Sequence, residues 1–121
     1  MYSAWSFNSA SVWDAAIQSW YDEVKNMPAS LVNSFAQHPT GKVISQYTQV
    51  VWAETYEVGC GAIHYPDTAA GIVFPEAKIY VCNYGPGGNW LSSPVYLTGP
   101  AASNCPDGNS SDYAGLCAPP A

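Results

Sequence analysis

The chain has 121 residues, which is enough for one domain with a packed core and too few for two. Apolar residues make up 48% of the sequence and five residues are tryptophan, a composition that excludes an intrinsically disordered chain. Three lysines oppose nine acidic residues, which gives a net charge of -6. Binding to nucleic acid or to an anionic membrane surface needs clustered basic side chains, so neither is expected.

The four cysteines are Cys60, Cys82, Cys105 and Cys117. They are even in number and lack the Cys-x-x-Cys or Cys-x-x-His spacing of zinc sites, which favours disulfides and an oxidising compartment. Asn109 begins an Asn-Ser-Ser acceptor triplet for glycosylation, which fits secretion. Because no signal peptide follows Met1, we expect that one was removed with a larger N-terminal segment or that the chain begins at an internal methionine.

The first regular element that the pattern predicts is a helix over residues 12–26. Apolar side chains recur there at helical spacing. Ser11 is placed to cap the helix, with Asp14 three positions on, and Pro28 ends it. Residues 1–10 show neither a helical nor a strand period and are expected to be irregular.

Glu23 lies at the border of the apolar stripe of this helix. Its spacing fits a solvated flank residue, a partner for a nearby polar group or a functional carboxylate. Residues 29–44 are predicted to form a loop with room for one helical turn, and His38 in that loop is expected to be exposed. Residues 45–55 fit a helix and a strand equally well.

Two strand-like runs, residues 58–65 and 77–84, predict an antiparallel hairpin. Residues 66–76, which contain two prolines and a glycine, are expected to form a long loop between them. Cys60 and Cys82 would then lie near each other across the two strands. A disulfide there closes a loop of roughly 22 residues, worth about 3 kcal/mol in the chain-entropy model.

The predicted loop contains an apolar tip, Ile72-Val73-Phe74. Packing of this tip against the domain is the expected state, and exposure for contact with lipid or a partner is the alternative. Residues 91–100 are expected to wrap the sheet as an irregular arm. Beyond them the composition becomes small and polar, and Cys105 and Cys117 are placed to close a short loop.

Two segments carry a resemblance to a known family. Their sequences are Tyr47-Thr48-Gln49-Val50-Val51-Trp52 and Tyr80-Val81-Cys82-Asn83-Tyr84-Gly85-Pro86-Gly87-Gly88-Asn89, with Val58-Gly59-Cys60-Gly61 between them. Trp20-Tyr21-Asp22-Glu23-Val24 is similar to the helix that precedes the first segment in that family. With these motifs the chain resembles the CAP superfamily of cysteine-rich secretory, antigen-five and pathogenesis-related proteins, in its nematode or arthropod venom-allergen-like form.

The resemblance implies an α+β fold, the CAP-type α-β-α sandwich, with an antiparallel sheet and a disulfide-closed C-terminal tail. Family domains are longer than this chain, so we expect the part that carries their Gly-Glu-Asn motif to be missing upstream of Met1. Residues 1–100 would form a partial CAP domain and residues 101–121 a small cysteine-containing tail. A truncated sandwich is expected to expose a sheet edge and an apolar face.

The resemblance also implies a cleft that, in many members, holds a divalent metal with two histidines and two glutamates. Glu23 matches one of the glutamates, and Gln46 stands where one histidine is usual, directly after Ser45 in place of a glycine. A neutral amide is a weaker zinc ligand than an imidazole. We therefore expect no metal cofactor, with Glu23 as the one remaining position of the set.

The function that follows is that of a secreted, non-enzymatic protein that binds an extracellular protein or a sterol or lipid, possible contacts being Ile72, Val73 and Phe74. It would bind no nucleic acid and would not be an integral membrane protein. One alternative is a hydrolase with Glu23 as general base, assisted by Glu54 and Glu57, although no nucleophile elbow or zinc-binding helix motif is present. The other alternative is an inactive truncated product.

Overall fold

A computed structural model describes residues 1–4 and 11–120. It contains two α-helices, α1 (Trp13–Tyr21) and α2 (Ser45–Val50), and three strands, β1 (Tyr2–Ala4), β2 (Glu57–Ala69) and β3 (Ile72–Gly85). Two short 3-10 helices, Asp22–Asn26 and Ala29–Leu31, follow α1. The strands form one antiparallel sheet in the order β1-β3-β2, which confirms an α+β fold with an antiparallel sheet.

The expectation that residues 1–10 are irregular is wrong for Tyr2–Ala4 and falls outside the described residues for 5–10. These three residues pair with β3, from Tyr2 opposite Tyr80 to Ala4 opposite Lys78. A three-residue strand has no measurable period of its own. Its partner lies more than seventy positions along the chain, so a local pattern could not reveal it.

The helical region covers the predicted residues, but its last five residues form a 3-10 helix, which is more tightly wound than an α-helix. α1 ends at Tyr21, and the 3-10 helix Asp22–Asn26 continues it. The predicted cap is wrong: Val12 occupies the N-cap position and makes no side-chain capping hydrogen bond. The amide of Val12 instead donates to the phenolic oxygen of Tyr80 at 3.0 Å, so the sheet anchors the start of α1.

The hairpin is longer than expected, and the predicted loop over residues 66–76 is wrong. β2 and β3 continue through that segment and are joined by only two residues, Ala70 and Gly71, with φ of 51° and 76°. Two-residue turns with positive φ at both positions suit the twist of a hairpin. Pro66 and Pro75 are tolerated because both fall where the register shifts, and a proline at such an irregularity removes no regular ladder bond.

Two buried clusters form the core. The first, Ala16, Trp20 and Tyr80, joins α1 to the sheet, and the ring of Trp13 packs edge-on against Tyr80 with centroids 4.6 Å apart. The second lies under the loops and consists of Phe35, Ile44, Trp52 and Val95. Burying a side chain of the size of Phe35, Ile44 or Val95 contributes roughly 1.5–3 kcal/mol.

Residues 91–100 do not wrap the sheet as expected. The amide of Val95 donates to the carbonyl of Val32 at 2.7 Å, and the amide of Ala53 donates to the carbonyl of Val95 at 2.9 Å. The arm therefore runs between the loop over residues 29–44 and the turn after α2. Backbone amides and carbonyls of this irregular arm are hydrogen-bonded to those two segments, as buried backbone groups require.

Both expected disulfides are present. Cys60 and Cys82 stand directly opposite each other in the ladder between β2 and β3, with their Cα atoms 4.1 Å apart. Cys105 and Cys117 close the C-terminal loop with a Cα separation of 5.3 Å. We call residues 101–120 the tail; the division of the chain into a domain of residues 1–100 and a separate tail stays a prediction.

Candidate functional site

Glu23 reaches from the 3-10 helix after α1 to the beginning of α2. Its Oε1 atom accepts hydrogen bonds from the backbone amides of Gln46 at 3.0 Å and of Tyr47 at 3.1 Å. The first amides of a helix have no partner inside the helix, and an acceptor with negative charge is favoured there. Glu23 thus has the role of a partner for a nearby polar group, and it fixes α2 against the 3-10 helix that continues α1.

The backbone amide of Gln46 lies against Glu23, and the cleft that the resemblance implies around both residues stays a prediction. Its side chain contacts Met1: Nε2 donates to the Met1 carbonyl at 3.4 Å, and Oε1 accepts from the Met1 amine at 3.5 Å. The indole of Trp20 donates to the same carbonyl at 3.3 Å. Glu23 and Gln46 are therefore brought together by the 3-10 helix Asp22–Asn26 and α2, and Met1, just before β1, contacts Gln46 and Trp20.

The residues at these positions do not fit a bound divalent metal. The donors are one carboxylate, whose Oε1 is engaged with two amides, and one neutral side-chain amide. Zinc in proteins prefers three or four imidazole, thiolate or carboxylate ligands. Within residues 1–4 and 11–120 no group of three or more histidine, cysteine, aspartate or glutamate side chains is arranged to hold a metal ion.

The other carboxylates and histidines considered in the sequence lie elsewhere. Glu57 stands next to Gly85, and Glu54 faces the tail. His38 accepts a hydrogen bond from the Thr40 amide at 3.1 Å in its own loop. His64 lies 3.6 Å from a carboxylate oxygen of Glu76, in β3. Among the described residues none of these four makes a hydrogen bond to Glu23.

The apolar residues Ile72, Val73 and Phe74 are at the beginning of β3 rather than in a loop. Ile72 is 51% exposed and Val73 is 65% exposed, while Phe74 is half-buried. The expected packing of this segment onto the domain is therefore wrong for Ile72 and Val73. The reason is the length of the hairpin, which carries its turn beyond the reach of β1. We call these three residues the hairpin end.

The two segments that carried the resemblance contact each other closely. The side chain of Gln49 in α2 accepts from the Gly88 amide at 2.8 Å and donates to the Thr55 hydroxyl at 3.1 Å. That hydroxyl donates to the carbonyl of Pro86 at 2.7 Å. We call α2 together with residues 85–90 the helix-turn unit; the bond between Gly85 and Pro86 within it is cis.

Further contacts close the helix-turn unit. The hydroxyl of Thr48 donates to the side-chain oxygen of Asn89 at 2.6 Å, and the Asn89 amide group donates to the carbonyl of Ser45 at 2.9 Å. A β-carbon on Gly88 would stand 2.7 Å from Cγ of Trp52, so only glycine fits there. Sequence reasoning noticed both segments but did not find these polar contacts, because they depend on tertiary placement.

Two tyrosines near the site have perturbed acidity. Burial, helped by the neighbouring Tyr96 and Tyr21, raises the pKa of Tyr47 above its ordinary value. Burial alone raises the pKa of Tyr84. In both cases the phenolate is disfavoured because the charged form loses hydration inside the protein.

The comparisons with known proteins agree with the motifs. The model of the CAP family, the cysteine-rich secretory protein family, matches residues 2–84, and the chain belongs to this family. Scoloptoxin SSD976 from Scolopendra dehaani is 43% identical over 102 residues, which cover 84% of this chain and 44% of the toxin. The chain thus spans less than half the length of that curated relative.

Solved structures show the same fold. The structure of BmVAL-1 superposes with a TM-score of 0.71 at 25% identity, covering 96% of this chain and 58% of the other. NaASP2, crystallised with Zn2+, superposes with a TM-score of 0.63 at 26% identity over 97% of this chain and 58% of its own. None of the helices in the described part of the chain has the length and hydropathy to cross a bilayer.

Proposed function

We propose that this chain is a secreted, non-enzymatic CAP-domain protein of the venom-allergen-like type that acts by binding. The bound partner is an extracellular protein or a sterol or other lipid, and the biological role is immune modulation or defence, with Asn109 glycosylated. Family membership and the two disulfides support an extracellular setting. Venom proteins among the relatives, such as Scoloptoxin SSD976, support the venom-allergen-like type.

The observation that carries the binding proposal is the exposure of the hairpin end. Ile72 and Val73 are 51% and 65% exposed at the end of a two-stranded ribbon. Burying a fully exposed aliphatic side chain of this size contributes roughly 1.5–3 kcal/mol. A ligand or partner that covers both side chains would therefore gain affinity from the hydrophobic effect without any rearrangement of the domain core.

The hydrolase alternative has less support. A general base needs a free carboxylate oxygen within reach of a substrate proton. Oε1 of Glu23 accepts from the amides of Gln46 and Tyr47, which leaves only Oε2 to take a proton, and the hydrogen bonds among the described residues do not link Glu23 to Glu54 or Glu57 as an assisting carboxylate. Should a hydrolase activity be measured and be abolished in Glu23→Gln, the non-enzymatic proposal would be wrong.

The binding proposal is tested by titrating the oxidised protein with a fluorescent sterol and with a fluorescent fatty acid. Saturable binding of one of them is expected in the wild type. The double variant Ile72→Asp/Val73→Asp should bind at least about tenfold more weakly, since tenfold corresponds to roughly 1.4 kcal/mol. Val43→Asp controls for the introduction of a charge at an exposed aliphatic side chain, because Val43 is 60% exposed but lies in a separate loop.

Reduction of the disulfide between Cys60 and Cys82 should also abolish binding, because the bond fixes the two strands of the ribbon. If neither probe binds saturably in the oxidised or reduced state, the lipid version of the proposal fails. If the double variant binds as well as the Val43→Asp control, the assignment of binding to the hairpin end fails. An inactive truncated product would bind neither probe nor any extracellular protein.

A further inference from the structure

A cavity of about 710 Å³ lies between the tail and the rest of the chain, remote in sequence from the hairpin end. We call it the tail pocket. Its walls come from residues 53–56 after α2, from residues 94–97 of the arm, and from residues 104–120 of the tail. Its volume is within the range of roughly 300–1,000 Å³ that is typical of ligand sites.

Both walls of the tail pocket are held in place. On the tail side, the Ser110 amide donates to the carbonyl of Leu116 at 2.9 Å, and the Ala118 amide donates to the carbonyl of Gly108 at 2.8 Å. The disulfide to Cys105 fixes Cys117, which itself lines the cavity. On the opposite side, the bond from Ala53 to Val95 ties two lining segments together. Each wall is thus held internally, which reduces the conformational entropy that each lining segment loses on binding.

Four large apolar or aromatic side chains of the lining are exposed. Tyr56, Leu97, Tyr113 and Leu116 all line the cavity and are between 51% and 67% exposed. Clustered exposed apolar side chains mark interaction surfaces. Tyrosine rings also attract a cation that lies over the ring face.

The charged part of the lining is entirely acidic. Glu54, Asp107 and Asp112 border the tail pocket, and none of the three lysines of the chain does. Within the described residues, Glu54 and Asp107 make no salt bridge and no side-chain hydrogen bond, and the Asp112 carboxylate accepts only a long bond of 3.4 Å from the Ser111 hydroxyl. Three carboxylates beside tyrosine rings therefore have no positive partner in this part of the chain.

Because its lining combines carboxylates that have no positive partner with exposed tyrosine and leucine side chains, we propose that the tail pocket binds a peptide segment that carries both basic and apolar side chains. Glu54 comes from one wall, and Asp107 and Asp112 come from the other. The basic groups of such a segment would pair with these carboxylates, while its apolar groups would cover Tyr113 and Leu116. Charge complementarity of this kind speeds association and selects the partner.

A second copy of this chain is a poor occupant. Its net charge is -6, and its three lysines are far apart in sequence. One of them, Lys78, is only 2% exposed. The proposal concerns a site separate from the hairpin end, so it stands whether or not the hairpin end binds lipid or protein.

The test uses a fluorescent, acetylated six-residue peptide of alternating arginine and leucine, titrated into the oxidised full chain. Binding should be saturable and should weaken as salt is raised, since attraction between exposed charges is screened. Asp107→Asn/Asp112→Asn should bind about tenfold more weakly, because it removes two of the three carboxylates that would pair with the arginines of the peptide. Tyr113→Ser should also weaken binding several-fold.

The matched control is Asp14→Asn/Asp22→Asn, which changes the net charge equally but alters exposed side chains of α1 and its 3-10 extension. This variant and Ile72→Asp/Val73→Asp should both keep wild-type affinity for the peptide. Equal melting temperatures establish that each variant is folded. The proposal is overturned if the Asp107/Asp112 variant loses no more affinity than the Asp14/Asp22 control. It is likewise overturned if a glutamate-for-arginine peptide binds equally well, or if arginine amide alone binds as tightly as the peptide.

Discussion

The helix-turn unit and the tail hold their shape by different means. In the helix-turn unit, side chains such as Gln49, Thr48 and Asn89 hydrogen-bond across more than thirty positions of sequence, and the unit packs on buried Trp52. The buried hydrophobic core of the described residues ends at Val95, and the tail relies on one disulfide and a few backbone bonds. Stability is therefore concentrated in the helix-turn unit, whereas the tail presents side chains for contact.

Removing each disulfide separately should expose this difference most strongly. Cys60→Ser/Cys82→Ser is expected to lower the free energy of unfolding by about 3 kcal/mol, because the bond closes a loop with a sequence separation of 22 inside the paired strands. Urea denaturation measures the loss.

In Cys105→Ser/Cys117→Ser the main unfolding transition should shift by less than about 0.5 kcal/mol, because the loop that this bond closes lies outside the buried core and the lost constraint affects the local opening of the tail. The tail should nevertheless become sensitive to protease, because few other bonds hold it. Equal losses in the two double variants would show that the tail is part of the cooperative core.

A methyl group at Gly88 tests how tightly the helix-turn unit is packed. Gly88→Ala would place its β-carbon 2.7 Å and 2.9 Å from ring atoms of Trp52, which is buried and has little room to move. We expect a loss of about 2–3 kcal/mol in the free energy of unfolding, typical of overpacking.

Gly87→Ala is the matched control, since a β-carbon there meets nothing within 4 Å. Its cost should stay below about 0.5 kcal/mol in the same urea titration. If the two variants are equally stable, the turn is looser than the contacts of Gly88 indicate.

Replacing Glu23 tests whether its role is to begin α2. Glu23→Ala leaves the amides of Gln46 and Tyr47 without their acceptor and should cost about 1–2 kcal/mol by thermal or urea unfolding. Glu23→Gln should cost less, because its amide oxygen still accepts.

The neighbouring Asp22→Ala removes only a surface hydrogen bond from Gln18 and should cost about 0.2–0.5 kcal/mol. A Glu23→Ala variant no less stable than Asp22→Ala would contradict the capping role.

Deprotonation of Tyr47 at alkaline pH should lower the free energy of unfolding by less than the substitutions above. Because burial raises the pKa of Tyr47, the unfolded chain loses this proton near pH 10, at the ordinary value, while the folded chain retains it. The stabilisation that this pKa difference gives the folded state is complete below pH 10. It is lost as the pH rises toward the pKa of Tyr47 in the folded protein.

The free energy of unfolding should therefore fall more steeply above pH 10 in the wild type than in Tyr47→Phe. Tyr113→Phe, in the exposed tail, should follow the wild type. Identical alkaline slopes for wild type and Tyr47→Phe would remove Tyr47 as a cause.

Much of the fold could be predicted because the relevant signals are local. Apolar spacing predicted the helical region from Trp13 onward, and two runs of strand-forming residues predicted the hairpin. Once the hairpin was in place, Cys60 and Cys82 had to lie close together, and the structure confirms their bond. The prediction of a loop over residues 66–76 was wrong because Pro66 and Pro75 were interpreted as strand breakers. In the structure both prolines lie at the register shift between β2 and β3, which accommodates them.

The candidate site could be predicted only in part. Motif resemblance placed Glu23 and Gln46 together, and the structure has them in contact. It did not indicate that Glu23 would accept the first amides of α2, since helix spacing locates a side chain on a face without identifying what lies opposite. The tail pocket had no sequence signal, because its lining residues are drawn from three separate segments.

The sequence by itself determined the family, the α+β class, the disulfide partners and the acidic balance of charge, since these depend on motifs, spacing and composition. The tertiary structure alone decided that Tyr2–Ala4 joins the sheet, that Glu23 caps α2 and that Ile72 and Val73 remain exposed. The tertiary structure also decided that three carboxylates and several tyrosines line the same tail pocket. Each of these outcomes depends on how residues far apart in the described part of the chain pack together, and local sequence patterns do not encode that packing.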